Sequence, residues 1–286
     1  MVLLSALLHA AWSTAIKGSS NPVAFNLAQS LMLALLAAAL LLGFAPSEVP
    51  GRVWGFLAAT GVCHGVYYYG MGRALERADL SLVYPVIRST PAFLPLVAIP
   101  VFGEQISVFG GLGIAVVVAG IWLVQSVPGL GLRAVLSPGL GWAWLTLVAT
   151  VGYSLFDKQA MTGLTDGSWS GALPRSVALF CLVSLAGEPV FLALGLPSLE
   201  RGTLRRTLRA EGVRVLAAVV LSFAGYALIL QAYASAPASY VVAVRQLSVL
   251  FAVVLAAGLL RERPGRRRLL GASTTVIGVA IIAFAG

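Results

Sequence analysis

Two stretches of the chain decide its fold: GRALERADLSLVYPVIRSTPAFLPLVAIPVFGEQIS, from Gly72 to Ser107, and AYASAPASYVVAVRQLSVLFAVVLAAGLLRER, from Ala232 to Arg263. Residues that are 158 positions apart match repeatedly between them. The matched pairs are Ala74 and Ala232, Ala78 and Ala236, Ser81 and Ser239, Phe93 and Phe251, and Glu104 and Glu262. Arg88 and Arg245 miss that register by one residue, so the match needs a small gap. A repeat of this length predicts a chain built from two related halves.

The composition excludes a soluble globular fold. Of the 286 residues, 59% are hydrophobic and 10% are charged, whereas soluble domains average about 45–50% apolar and about 25% charged residues. A helix needs about 20 residues to cross a hydrocarbon layer about 30 Å thick. Breaks at proline, glycine and charged clusters divide the chain into ten apolar segments. Their approximate bounds are 2–18, 22–44, 52–75, 80–101, 106–126, 139–161, 170–195, 212–233, 238–260 and 266–285.

An odd number of segments in each half means that the second half enters the bilayer from the opposite face. We therefore predict an all-α membrane protein with ten transmembrane helices, arranged as two inverted five-helix repeats. The repeats are expected at residues 1–126 and 139–286, joined by a linker at 127–138 within one membrane domain. In transporters, such inverted repeats place the substrate site near the midplane between the halves.

The net charge of +9 indicates orientation in a bilayer rather than binding to nucleic acid. Ten of the nineteen basic residues lie in two short runs, Arg201 to Arg214 and Arg261 to Arg268, each between apolar segments. The loops on that side hold fourteen basic residues, against Arg52 and Lys158 on the other side. Because basic loops stay in the cytoplasm, we expect both termini to face away from it. The expected partners are the lipid bilayer and a small-molecule substrate.

Sequence signatures of enzymes are missing from the chain. It has no H-E-x-x-H, G-x-S-x-G or phosphate-loop motif, and its two histidines, His9 and His64, are too few for most metal sites. We therefore predict a protein that is not an enzyme and that holds no metal or cofactor. The alternative from another class is an intramembrane enzyme or a lipid-modifying protein.

Polar and aromatic residues recur at helical spacing in six of the segments, which predicts a lined cavity. Polar groups are costly in lipid and must face protein or water, and steps of three and four place them on one helix face. The alternative is that they only join helices to each other. The candidate substrate-binding residues are His9, Trp12, His64, Tyr67, Tyr84, Arg88, Tyr153, Tyr226, Arg245 and Ser248.

Arg88 and Arg245 carry most of the functional argument. A guanidinium does not lose its charge in a protein, so each needs an anion. One or both could hold a substrate carboxylate or phosphate through paired hydrogen bonds; the alternative is a permanent ion pair or carbonyl contacts inside the bundle. The aromatic residues would provide flat apolar walls for an aromatic or ammonium-bearing solute, or else pack as ordinary core.

Two acids and three prolines are further candidates. Asp157 and Glu188 lie nearest the membrane interior and could couple protons to transport, although Asp157 could instead pair with Lys158 or cap a helix. Pro85, Pro91 and Pro95 remove backbone hydrogen bonds from the fourth segment. They predict a hinge there, or a static kink.

Glycines seven residues apart, Gly113 with Gly120 and Gly271 with Gly278, predict close helix packing within the monomer or in a dimer.

The stretch from Gly72 to Ser107 and its second copy from Ala232 to Arg263 resemble the drug/metabolite transporter superfamily, EamA type. The Tyr-rich third segment and the sparse acids resemble the YddG-like bacterial aromatic amino-acid exporters. This resemblance implies a multi-pass protein of the bacterial inner membrane that exports amino acids, aromatic or otherwise apolar, or similar small metabolites, by alternating access. An antiporter of phosphorylated metabolites or sugars is the alternative. The resemblance leaves open whether transport is proton-coupled or a uniport, and whether the protein is a monomer or a homodimer.

Overall fold

The computed structural model describes residues 1–17, 19–42, 49–125, 137–166, 171–251, 254 and 265–285, and the predicted linker at 127–138 lies almost wholly outside them. Every regular element within these residues is helical. The α-helices are α1 (Val2–Lys17), α2 (Pro22–Leu40), α3 (Gly51–Arg77), α4 (Leu80–Ile87), α5 (Thr90–Phe102), α6 (Val108–Gln125), α7 (Gly141–Thr165), α8 (Arg175–Gly195), α9 (Thr203–Tyr233), α10 (Ala238–Arg245) and α11 (Arg266–Ala285).

Six helical stretches are long and apolar enough to cross a membrane by length and composition. They are Pro22–Leu40, Leu82–Phe102, Val108–Gln125, Arg175–Ser198, Thr203–Tyr233 and Arg266–Ala285. The helices α3 and α7 also have sufficient length, at 27 and 25 residues, but they carry polar side chains of the predicted stripes. The outer surface is strongly apolar, since Leu42, Val213 and Phe284 expose 82%, 87% and 93% of their surface. Such a surface is suited to lipid rather than water.

The largest difference from the predicted segments is the start of α9. The predicted segments leave a loop at 196–211, whereas helix begins at Thr203 and continues through the basic run to Tyr233. Arginine is a good helix former, so charge alone does not end a helix. The irregularity lies instead at Glu211, whose φ of −125° is not helical. Its carboxylate accepts hydrogen bonds from the Ser19 hydroxyl at 3.2 Å and the Ser20 hydroxyl at 2.8 Å, which ties α9 to the α1–α2 connection.

The fourth predicted segment is broken into α4 and α5, and its prolines explain the break. Pro91 has no N–H to donate to the carbonyl of Ile87, so the helix cannot pass through this point unbroken. Side chains replace the lost bonds: the Thr90 hydroxyl donates to the Ile87 carbonyl at 3.0 Å, and the Ser89 hydroxyl donates to the Pro85 carbonyl at 2.6 Å. Pro95 lies inside α5, which continues past it. Whether the break acts as a hinge stays a prediction.

The ninth predicted segment is broken as well, without a proline or glycine to cause it. The helix α10 ends at Arg245, Gln246 forms a turn, and helix resumes to Phe251. The two breaks touch each other, because Arg88 Nη1 donates to the Ser248 hydroxyl at 3.3 Å and lies 3.5 Å from Gln246 Oε1.

Helix packing brings the two halves of the chain together. The helices α6 and α11 pack along their glycines, so that a Cβ on Gly113 would lie 2.9 Å from the Gly278 carbonyl oxygen, and one on Gly271 would lie 2.7 Å from that of Gly120. The close packing predicted for these glycines is therefore within the chain. Elsewhere α1 packs against α9, α3 against α7 and α8, and α2 against α8 and α9. This arrangement encloses the space that the site occupies.

Candidate functional site

The centre of the bundle holds a cavity with two adjoining chambers. The outer chamber has a volume of about 470 Å³, and the inner chamber about 70 Å³. Sites for small molecules typically have volumes of about 300–1,000 Å³, so the outer chamber could admit a small solute. The residues that line both chambers are His9, Trp12, Tyr67, Tyr68, Tyr153 and Arg245.

The outer chamber extends toward one end of the bundle, which we name the open end. Its lining there includes Ile16 at the end of α1, Pro22 at the start of α2, and Arg73 and Glu76 near the end of α3. Glu76 has 52% of its side chain exposed. Solvent at the open end therefore reaches residues that belong to the lining of the chamber.

At the opposite end, which we name the closed end, two charged side chains hold the turn between α9 and α10. The carboxylate of Glu104 accepts hydrogen bonds from the backbone N–H groups of Ala238 and Ser239 and from the Ser239 hydroxyl. The Lys158 ammonium donates to the carbonyls of Tyr233 and Ala236. The Glu104 carboxylate thus lies at the N-terminus of α10 and the Lys158 ammonium at the C-terminus of α9, an arrangement that the helix dipoles favour. We call Glu104 and Lys158, with this turn, the closed-end clamp.

Arg245 lies at the boundary between the chambers. Its guanidinium carbon is 5.2 Å from the centroid of the Tyr226 ring, a distance that permits a cation–π contact. Within the part of the chain that the structure describes, no carboxylate forms an ion pair with it and no group hydrogen-bonds to it. The N–H groups of Arg245 are therefore available to an anion in the cavity.

Arg88 also lines the outer chamber, but in a different setting. It too forms no ion pair among the described residues. Its guanidinium instead contacts the neutral side chains of Gln246 and Ser248 across the two helix breaks. Arg88 therefore joins the broken helices to each other while adding a second positive charge to the chamber.

Aromatic rings form the walls between these charges. The imidazole of His64 stacks on Tyr153 with ring centroids 4.2 Å apart, and Tyr67 meets Tyr153 edge to face at 5.5 Å. Elsewhere in the lining, His9 stacks on Trp12 with centroids 5.0 Å apart, and the indole N–H of Trp12 donates to Gln29 at 2.8 Å. These walls offer flat apolar surface beside the guanidinium of Arg245.

The two acids that were predicted to couple protons have different positions. Glu188 lines the inner chamber and accepts a hydrogen bond from the Ser30 hydroxyl. Asp157 is fully buried and lines neither chamber. It accepts hydrogen bonds from Thr60 and Tyr226 and lies beside His64. The predicted alternative of an Asp157–Lys158 pair is not found, because Lys158 turns to the closed-end clamp.

Nine of the ten predicted substrate-binding residues line a chamber. His9, Trp12, Tyr67, Tyr153 and Arg245 line both; the others are Tyr84 and Arg88 in the outer chamber, and His64 and Tyr226 in the inner one. Ser248 lines neither and lies behind Arg88 as its hydrogen-bond acceptor. Their roles toward a solute stay predictions.

Sequence reasoning missed two features of the site. Tyr68 lines both chambers, and its signal in the sequence is the unbroken run from Tyr67 to Tyr69, of which the predicted set contains only Tyr67. The closed-end clamp is the second feature, although the repeat matches Glu104 to Glu262.

Comparison with known proteins gives a family that matches nearly the whole chain. The EamA-like transporter family matches residues 1–126 and 130–284. A protein of Sinorhizobium sp. described as "Uncharacterized transporter in cobO 3'region" is 33% identical over 79 residues. That match covers 28% of this chain and 56% of the relative, so it spans about half the length of that protein.

A solved structure shares the fold. It is described only as "Crystal structure of protein" and matches with a TM-score of 0.72 at 17% identity, covering 99% of this chain and 96% of that chain. At this identity the likeness shows the fold alone.

Proposed function

The chain belongs to the EamA-like transporter family, and from that premise we propose that it exports amino acids, aromatic or otherwise apolar, or similar small metabolites across the bacterial inner membrane. Family membership makes it a multi-pass membrane transporter. The substrate class and the mechanism are inferred from the cavity. The Tyr-rich third segment, whose Tyr67 and Tyr68 line both chambers, supports a likeness to the bacterial aromatic amino-acid exporters of the YddG kind.

The position of Arg245 carries the proposal. A guanidinium between two chambers, with no carboxylate partner among the described residues, suits the carboxylate of a solute. Paired hydrogen bonds from arginine to a carboxylate are strong and directional. A low local dielectric strengthens them further.

The aromatic walls support an apolar side chain on the solute. With the carboxylate on Arg245, the rest of the molecule would lie against Tyr67, Tyr153 and Trp12, which line both chambers. Flat rings bury apolar and aromatic surface well. The chemistry therefore suits a small amphiphile with one anionic end.

The contacts between the halves support two inverted repeats, residues 1–126 and 139–286. In the proposed repeat, α1 corresponds to α7 and α3 corresponds to α9. If the two halves are related by symmetry, a contact between α1 and α9 requires an equivalent contact between α7 and α3. The structure has both contacts. Ten helices related in this way fit a midplane site.

A cavity that reaches one end and a clamp at the other support alternating access. The outer chamber extends to the open end, whereas Glu104 and Lys158 hold the closed end. Transport would require the clamp to release while the open end closes. Glu188, which lines the inner chamber, is the acid we propose for proton coupling if the transport is linked to a pH gradient.

Efflux from preloaded proteoliposomes tests the proposed function. Purified protein is reconstituted and vesicles are loaded with a panel of amino acids, sugars and phosphorylated compounds, with and without a pH gradient. We expect efflux of apolar and aromatic amino acids above that of protein-free vesicles. Efflux of none of the amino acids would overturn the proposal.

A second candidate is an antiporter of phosphorylated metabolites. It is favoured by one observation: both Arg88 and Arg245 line the outer chamber, where together they could neutralise a dianion. In the same vesicles, competition by phosphate compounds but not by amino acids would select this candidate.

A further inference from the structure

We propose that Asp157 is a positioning residue for Arg245. It accepts a hydrogen bond from the Tyr226 hydroxyl, and the Tyr226 ring in turn holds the Arg245 guanidinium in the position that binds the substrate. This inference rests on the proposed function in assigning the substrate's anionic group to Arg245. It replaces the proton-coupling role that the sequence suggested for Asp157. The argument begins with the surroundings of the carboxylate.

Both oxygens of Asp157 are occupied by neighbouring side chains. The Thr60 hydroxyl donates to Oδ1 at 2.6 Å, and the Tyr226 hydroxyl donates to Oδ2, which also lies 3.3 Å from His64 Nε2. Asp157 is fully buried and lines neither chamber. Because Asp157 does not contact the cavity, it can affect the binding of a solute only through the side chains that are hydrogen-bonded to it.

Tyr226 transmits this constraint to Arg245. Its hydroxyl donates a hydrogen bond to Asp157, while the centroid of its ring lies 5.2 Å from the Arg245 guanidinium carbon. A phenol that donates to a carboxylate gains electron density on its ring, which strengthens the attraction of the ring for a cation. Arg245 also lines both chambers, so the guanidinium that this ring contacts is within reach of a solute.

His64 forms a second arm of the same network. Its Nε2 lies 3.3 Å from Asp157 Oδ2, and its ring stacks on that of Tyr153 with centroids 4.2 Å apart. It also meets the Tyr226 ring at right angles, with centroids 5.5 Å apart. Asp157 thus holds two side chains that line the inner chamber.

The network belongs to only one of the two arginines. Arg88 contacts the neutral side chains of Gln246 and Ser248. When the stretch from Trp12 to Lys17 is matched to that from Tyr153 to Lys158, the position equivalent to Asp157 is occupied by Ile16. We therefore assign the anionic group of the substrate to Arg245, and to Arg88 the role of a brace between the helix breaks.

A test that needs no substrate uses the two histidines, His9 and His64. The full chain, labelled with ¹⁵N-histidine in lipid nanodiscs, is compared by NMR with Asp157→Asn and with Tyr226→Phe. We expect both variants to shift the His64 resonances and to leave those of His9 unchanged. The matched control is Asp166→Asn, at the end of the same helix, where an exposed aspartate pairs with Arg52 at 3.0 Å; it should shift neither histidine.

A transport measurement gives the functional readout. We expect Asp157→Asn and Tyr226→Phe each to raise the KM for amino-acid efflux about fivefold to tenfold, which is less than the full value of a desolvated cation–π contact because both variants keep the aromatic ring. The maximal rate should stay within about twofold of the wild-type rate, because the variants weaken binding of the solute but do not alter the conformational step of transport. In the double variant Asp157→Asn/Tyr226→Phe the increases should not multiply, because both act through one contact.

Two results would overturn the inference. One is His64 resonances that do not respond to Asp157→Asn. The other is an unchanged KM with a lost response to a pH gradient, which would make Asp157 a proton carrier. Failure of the proposed function is distinguishable, since it is seen in the wild-type protein as absent amino-acid efflux, whereas the His64 comparison needs no transported solute.

Discussion

Glu104 and Ser239 join two broken helices at the closed end of the bundle. The carboxylate at the end of α5 accepts hydrogen bonds from the backbone N–H of Ser239, at 3.3 Å, and from its hydroxyl, at the start of α10. Gly103, with a φ of 65°, turns the chain so that Glu104 can reach this helix start. Neither Glu104 nor Ser239 lines a chamber of the cavity, so this contact can change while the cavity persists.

We predict that Glu104→Gln loosens the closed end. The amide keeps the shape of the side chain but lacks the charge that favours a helix N-terminus. Hydrogen exchange of residues 234–240 should rise, while exchange along α6 and α11 stays as in the wild type. Glu76→Gln, at the open end, is the matched control and should not change exchange in that segment. Equal exchange in wild type and Glu104→Gln would contradict a clamp.

The glycine contacts of α6 and α11 predict a stability effect. A Cβ on Gly271 would lie 2.6 Å from the backbone nitrogen of Val124, and backbone atoms cannot move aside cheaply. Gly271→Ala should lower the free energy of unfolding by about 1–3 kcal/mol, as overpacking does. Thermal unfolding in detergent measures this as a lower Tm. Gly55→Ala, where a Cβ would meet nothing within 4 Å, is the control; equal Tm values for the two variants would refute close packing.

The fold was predictable to a large extent because its signals are local. Apolar length, proline and glycine place most helix ends within a few residues, and helical spacing put nine of ten selected side chains on the cavity. Two features could not be found in this way. The break at Gln246 has no local cause in the sequence, and the basic start of α9 reads as a loop although arginine favours helix.

The inner organisation of the site depends on contacts between distant segments. Asp157 and Glu188 look alike in sequence, as single acids within apolar helices. Only the positions of Thr60 and Tyr226, 97 and 69 residues from Asp157, turn it away from the chambers. Spacing along one helix cannot contain this information.

The break between α4 and α5 gives a prediction about rate. Pro91→Ala would restore an N–H that can bond to the Ile87 carbonyl, in competition with the Thr90 hydroxyl. A straighter, stiffer helix should lower the maximal transport rate by about threefold or more, with the KM nearly unchanged, if the break acts as a hinge. Pro100→Ala, inside α5, serves as the comparison. An unaltered rate in Pro91→Ala would indicate a static kink.

Glu188 gives a prediction about coupling. Its carboxylate lines the inner chamber and holds the Ser30 hydroxyl. Glu188→Gln should still export amino acids but should lose any stimulation by a pH gradient, because the amide cannot exchange a proton. Initial efflux rates with and without the gradient measure this. A stimulation that survives in Glu188→Gln would exclude this side chain as the carrier.

The central claim is that Arg245 binds the carboxylate of the exported solute, and paired efflux of phenylalanine and phenethylamine tests it most directly. The two solutes differ only by the carboxylate. In wild-type vesicles, after the protein-free rate is subtracted, we expect phenylalanine efflux to be at least about tenfold faster than phenethylamine efflux. This factor corresponds to one hydrogen-bonded contact between charged groups. In Arg245→Gln the phenylalanine rate should fall by a similar factor and the discrimination should vanish. Discrimination that remains intact in Arg245→Gln would contradict the account.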